Sequence, residues 1–88
     1  MNVNTHKTFL VSLRKRVLPN KALLGKFRKR VEMFEFDRTN PTLKDHALMG
    51  KKSGYRAFSV TGDVRVVYKM MDEDTALLVD IESHNQVY

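Results

Sequence analysis

The apolar residues Phe9, Leu10, Leu13 and Val17 recur at helical spacing, with Lys7, Arg14, Lys15 and Arg16 between them. This pattern predicts a first amphipathic helix. Pro19 ends it, and Asn20 offers a side chain to cap the next helix. Leu24, Phe27, Val31 and Phe34 then follow in one apolar stripe, while Lys21, Lys26, Arg28, Lys29 and Arg30 decorate the other sides. The short connection makes these two helices antiparallel neighbours. Residues 2–5 read as a short first strand. Residues 37–53 break the pattern with Asn40-Pro41, Gly50 and several charges, so a long irregular loop is expected there. Such loops are often functional.

From Gly54 onward the period changes to two. Tyr55–Thr61, Val64–Met71 and Thr75–Glu82 read as strands, with turns at Gly62-Asp63 and Asp72-Glu73-Asp74. If Gly62 and Asp63 are the whole first turn, Thr61 pairs with Val64 and Val60 with Arg65. Ala57, Val64, Val66 and Tyr68 then share an apolar face with Leu77, Val79 and Ile81, and Ser59 falls on that face too. The opposite face carries Arg56, Phe58, Arg65, Lys69, Asp80 and Glu82. The expected fold is α+β, one domain spanning residues 1–88. Its two N-terminal antiparallel helices lie on one face of a three- to four-stranded antiparallel sheet. Arginines flanking an aromatic ring suit a phosphate and an unpaired base. The same alternation also describes an ordinary solvated face.

Charge sharpens this picture. The 88 residues carry 16 Lys+Arg against 10 Asp+Glu, a net charge of +6. All 16 bases fall within residues 1–71, whereas five of the ten acids fall in residues 72–88. A surface this basic favours a polyanion or an acidic protein partner. There is no cysteine, so neither a disulfide framework nor a thiolate metal site is possible. No apolar run approaches a membrane span, and no leader is evident, so a soluble cytoplasmic protein is expected.

Three histidines are the natural acid–base candidates near neutral pH. His6 opens the first helix and reads as a surface residue. His46 sits in the long loop beside Asp45, and His84 follows the last strand. Neither His46 nor His84 lies on an apolar stripe. No HExxH, P-loop, GxGxxG or serine nucleophile elbow is present. Cleavage of RNA through its own 2′-hydroxyl needs only a base, an acid and a cation at the phosphate. His46, Asp63, Arg65 and His84 could supply these without a metal.

The segments Asn40-Pro41, Leu43-Lys44-Asp45-His46, Gly54-Tyr55-Arg56, Asp63, Arg65-Val66-Val67-Tyr68 and Ser83-His84-Asn85-Gln86-Val87-Tyr88 occur in an order that resembles the RelE superfamily of bacterial type II toxins. Within it, the YafQ-type mRNA interferases are most similar. The resemblance implies a toxin that enters the ribosome, cuts mRNA without a metal or other cofactor, stops translation and is silenced by a cognate antitoxin. Operator DNA would be met only through that antitoxin. By position, the resemblance gives His46, Asp63 and His84 their places in the YafQ pattern and Arg65 its place as the strand arginine of the RelE pattern. Tyr88 takes the position of the terminal aromatic, and Arg56 that of a strand lysine.

The implied mechanism has Arg65 at the scissile phosphate, His46 with Asp63 as base and His84 as acid, the two histidines being interchangeable in these roles. Arg56, Phe58 and Tyr88 would meet RNA, and Lys15, Lys26, Lys29, Lys51 and Lys52 would hold ribosomal RNA backbone. The chain departs from the YafQ pattern at Ser59, Val64, Asp80 and Glu82, where that pattern has histidine, tryptophan, arginine and glycine. Asp80 and Glu82 are expected near Arg65, where they compete with phosphate. A ParE-like toxin, which binds and poisons DNA gyrase without cutting RNA, shares the architecture. A plain RNA-binding module is a third reading.

Overall fold

The computed structural model describes residues 1–83, so His84 and Tyr88 lie outside the described residues. Its elements are β1 (Asn2–Thr5), α1 (Lys7–Ser12), α2 (Lys21–Phe36), β2 (His46–Ala47), β3 (Arg56–Ser59), β4 (Val64–Asp72) and β5 (Thr75–Ser83). A π-helical turn, Leu13–Val17, continues α1. Both helix starts are capped, the second by Asn20 as expected and the first by His6. Asn20 Oδ1 accepts from the Leu23 amide at 3.0 Å, and His6 Nδ1 accepts from the Thr8 amide at 3.1 Å. His6 is thus an exposed cap. No described helix is long and apolar enough to cross a membrane.

The α+β class holds, but the sheet is larger than expected and mixed. Its five strands run β1-β5-β4-β3-β2. The first strand joins β5 in parallel, Asn2 beside Thr75 and Thr5 beside Leu78. This parallel pairing separates the observed sheet from the antiparallel one read from the sequence. The long loop is also more structured than expected. It contains 3₁₀ turns at Pro41–Leu43 and Gly50–Lys52, and β2 lies between them. Leu43 plugs fully into the core from this loop.

The β3–β4 hairpin corrects the predicted register. Ser59 pairs with Arg65 and Phe58 with Val66, where the two-residue turn would have paired Val60 with Arg65. The Val60 and Thr61 amides both donate to the Val64 carbonyl, widening the turn by bulging its first arm. Side chains alternate every residue, so this one-residue slip turns the whole of β3 over. Phe58 therefore enters the core and is fully buried, while Ser59 faces the other way. Phe58 stacks on Phe34 of α2 with ring centroids 4.5 Å apart, and Tyr68 meets Phe34 edge-on at 4.7 Å. The base-stacking role read for Phe58 is withdrawn, because a ring with no exposed surface cannot reach a nucleotide.

The β4–β5 hairpin closes with Asp72 opposite Thr75 and carries two irregularities, at Val67/Tyr68 and Met70/Asp72. Such bulges add a residue to one strand and re-aim its side chains. Ala76 and Leu78 consequently fill the core in place of the expected Leu77 and Val79, while Ile81 is buried as expected. Ala57 and Val67 are buried as well but stand outside the core cluster, as opposite members of one cross-strand pair.

Candidate functional site

The face turned away from the core holds a row that crosses three strands. Ser59 on β3 opposes Arg65 on β4, which opposes Glu82 on β5. At the strand mouth, an open cleft of about 530 Å³ gathers His46, Lys52, Asp63 and Ser59 around this row. The sheet thus brings together three of the four residues read as catalytic: His46, Asp63 and Arg65. His46 arrives because β2 pairs with β3, setting it opposite Ala57. Asp63 arrives on the β3–β4 turn.

The state of His46 follows from its partner. Its Nδ1 lies 2.9 Å from the Lys44 carbonyl oxygen. A carbonyl only accepts, so Nδ1 carries the proton and the neutral ring keeps its lone pair on Nε2. That is the tautomer a general base needs. Lys44 supports the arrangement with a left-handed backbone (φ 49°), a conformation uncommon outside glycine.

Arg65 is engaged. Its Nε and Nη2 donate to one oxygen of Glu82 at 3.1 and 2.8 Å, and Lys52 pairs with the other oxygen. Asp80 lines the cleft too, but its carboxylate accepts from Ser12 Oγ at 2.5 Å and from the Ile81 amide at 2.8 Å. Of the two acids expected to compete for Arg65, Glu82 does so and Asp80 is tied to α1. Lys51 lies exposed in the 3₁₀ turn beside Lys52.

Arg56 belongs to a different node. It pairs with Tyr68, on the core-facing side of the sheet rather than the cleft side. Its Nε and Nη2 each donate to Asp45 Oδ1 at 2.7 Å. The Tyr68 hydroxyl donates to Asp45 Oδ2, and Arg38 donates to that hydroxyl at 3.2 Å. The Asp45 bond, more than any other factor, raises the Arg56 pKa further above its ordinary value. Arg56 is thereby removed from the Arg65 face where the predicted register put it.

This node fastens the loop immediately before His46 to the sheet. The sequence places Asp45 beside His46 and Tyr68 in an apolar row, but does not show the link between them. The available signal was chemical: a tyrosine in a buried apolar row needs a hydroxyl partner.

The Tyr68 pKa is raised, first by burial and then by its bond to Asp45. A raised folded value stabilises the protein below the ordinary tyrosine range near pH 10. That contribution is lost as pH rises through the folded value, because the unfolded chain ionises first. Tyr68→Phe is expected to cost about 1–2 kcal/mol at pH 7. It is also expected to flatten the alkaline fall in stability, as read from urea midpoints between about pH 9 and 11. Equal slopes in both proteins would remove the proposed role of the buried hydroxyl.

No protein-family model and no curated protein matches the chain. Solved structures do. A metal-bound toxin from Helicobacter pylori is 27% identical, with 100% of this chain and 99% of that one covered at a TM-score of 0.76. YafQ in the DinJ–YafQ complex from E. coli is 19% identical, covering 99% and 97% at 0.74. A YoeB/ParE toxin from Agrobacterium tumefaciens is 14% identical, covering 96% and 99% at 0.76. Among the described residues no group of three or more His, Asp or Glu side chains is placed to hold a metal ion. These likenesses agree on the fold: the chain has the fold of the RelE/YafQ-like toxins.

Proposed function

We propose that this protein is the toxin of a type II toxin–antitoxin pair and an endoribonuclease that cuts mRNA on the ribosome, using no metal. The observation that carries the reading is the meeting of His46, Asp63 and Arg65 in one cleft of a strongly basic protein. In this reading the His46 Nε2 lone pair takes the proton from the 2′-hydroxyl, with Asp63 beside it. Arg65 stabilises the charge that develops on the scissile phosphate. His84 is assigned as the acid for the leaving oxygen, and Tyr88 as a stacking surface for a base. Lys51 and Lys52 hold backbone phosphates, with Lys15, Lys26 and Lys29 against ribosomal RNA.

An antitoxin partner follows from the same reading. The similar structures include YafQ with DinJ and a YoeB–YefM complex from Staphylococcus aureus. The working compartment is then the bacterial cytoplasm, and operator DNA is met only through the antitoxin.

The test is a translation reaction containing purified protein, followed by primer extension on the mRNA. Codon-phased cuts that require ribosomes are expected, and His46→Ala is expected to lower their yield about 10²-fold or more. Uncut mRNA with normal protein synthesis would sink the proposal. Supercoiling assays on DNA gyrase would then address the ParE-like alternative.

A further inference from the structure

Arg65 and Lys52 approach one carboxylate from two sides, each taking a different oxygen of Glu82. Arginine's planar fork accepts a carboxylate or a phosphate in the same two-bonded geometry, and lysine adds a point charge to either. We propose that Arg65 and Lys52 form a two-cation phosphodiester pocket, and that Glu82 is its built-in anionic occupant, which an RNA phosphate must displace to bind. This rests on the reading of the cleft as an RNA site.

Three observations support displacement rather than a permanent structural pair. The side chains of Lys52, Arg65 and Glu82 retain 46%, 39% and 21% of their exposure, so water reaches all three. Exposed ion pairs contribute little net stability and exchange readily. The two cations are also presented by separate elements: Arg65 stands on β4 opposite Ser59 of β3, and Lys52 stands on the Gly50–Lys52 turn. Finally, the other acidic groups of the cleft are placed differently. Asp80 is bound by Ser12, and Asp63 lies on the hairpin turn. Glu82 is therefore the anion that a phosphate would replace, with His46 facing the same space.

The experiment is an NMR titration of the full chain with a 2′-deoxy trinucleotide, which presents the same phosphodiesters but lacks the 2′-hydroxyl that cleavage requires. The Arg65 Nε–H resonance reports on the pocket. Glu82→Gln keeps the side-chain shape and removes the charge. It is expected to tighten the trinucleotide dissociation constant about tenfold at low salt. Adding Arg65→Gln or Lys52→Gln to Glu82→Gln is expected to erase the gain. Equal or weaker binding by Glu82→Gln, in a protein whose backbone spectrum is unchanged, would overturn the proposal. So would a gain that survives Arg65→Gln, since the carboxylate would then act only as a distant charge.

Primer extension on the same proteins separates this from the cleavage reading. Tighter binding by Glu82→Gln with mRNA left uncut by every variant upholds the pocket and removes cleavage. Cut mRNA with unaltered trinucleotide affinity removes the pocket's occupant and leaves cleavage standing.

Discussion

Phe34→Ala is expected to destabilise the protein by about 3–5 kcal/mol. Phe34 is fully buried on α2 and its ring contacts two strands, stacked on Phe58 and edge-on to Tyr68. Truncation leaves a cavity bounded by two other large rings, which cannot collapse into it without breaking sheet register. The aromatic pairings add about 0.5–1.5 kcal/mol each beyond the area they bury. Domains of this size hold about 5–15 kcal/mol in all, so the variant should lose much of its margin. A thermal midpoint lowered by on the order of 20 °C is the expected reading. A loss below about 1 kcal/mol would mean that Phe58 does not face Phe34, and that the wider β3–β4 turn is wrong.

That outcome bears on what the sequence could reveal. The second helix was legible because four apolar residues, Leu24 to Phe34, mark one stripe and Asn20 marks its start. The three long strands were legible from their period of two. Sheet register was not, because hydrophobicity left the β3–β4 turn ambiguous. Phe58 and Ala57 are both apolar, so hydrophobicity does not distinguish the inner face of Tyr55–Thr61 from the outer one. The Thr61 hydroxyl, which accepts from the Asp63 and Val64 amides at 3.2 and 3.1 Å, favours the wider turn. A simple reading of Gly62-Asp63 misses that side-chain bond. The parallel strand Asn2–Thr5 was legible as a strand but not by its partner, since four residues of mixed polarity do not indicate which edge they join.

At the site, the convergence of His46 and Arg65 could not be read from spacing, because 18 residues of irregular loop and strand intervene. The resemblance to the toxin superfamily named both, and the short β2–β3 pairing is what brings them to one cleft. Ser59 is the reverse case. The slipped register hid it on the apolar face, whereas it stands beside Arg65 on the open one. Its hydroxyl donates to the Thr61 carbonyl at 2.8 Å, so it braces the turn that carries Asp63.

Arg65→Ala is expected to lower ribosome-dependent cleavage by about 10²–10³-fold, the usual cost of losing one aimed donor at a developing oxyanion. Its effect on folding is expected to be small. Arg65 and Glu82 form a partly exposed pair, and such pairs contribute about 0–1 kcal/mol. Glu82 retains Lys52 as a partner in the variant, so no buried charge is orphaned. The two readouts therefore separate chemistry from structure. Cleavage is measured by primer extension and stability by urea unfolding of the same preparation. Arg65→Lys keeps the charge but not the planar fork, and is expected to recover only part of the rate. Cleavage within about threefold of wild type in Arg65→Ala would place the scissile phosphate elsewhere. A stability loss above about 2 kcal/mol would instead make Arg65 a strut of the three-strand row, and the phosphate contact would then have to be sought at Lys52 alone.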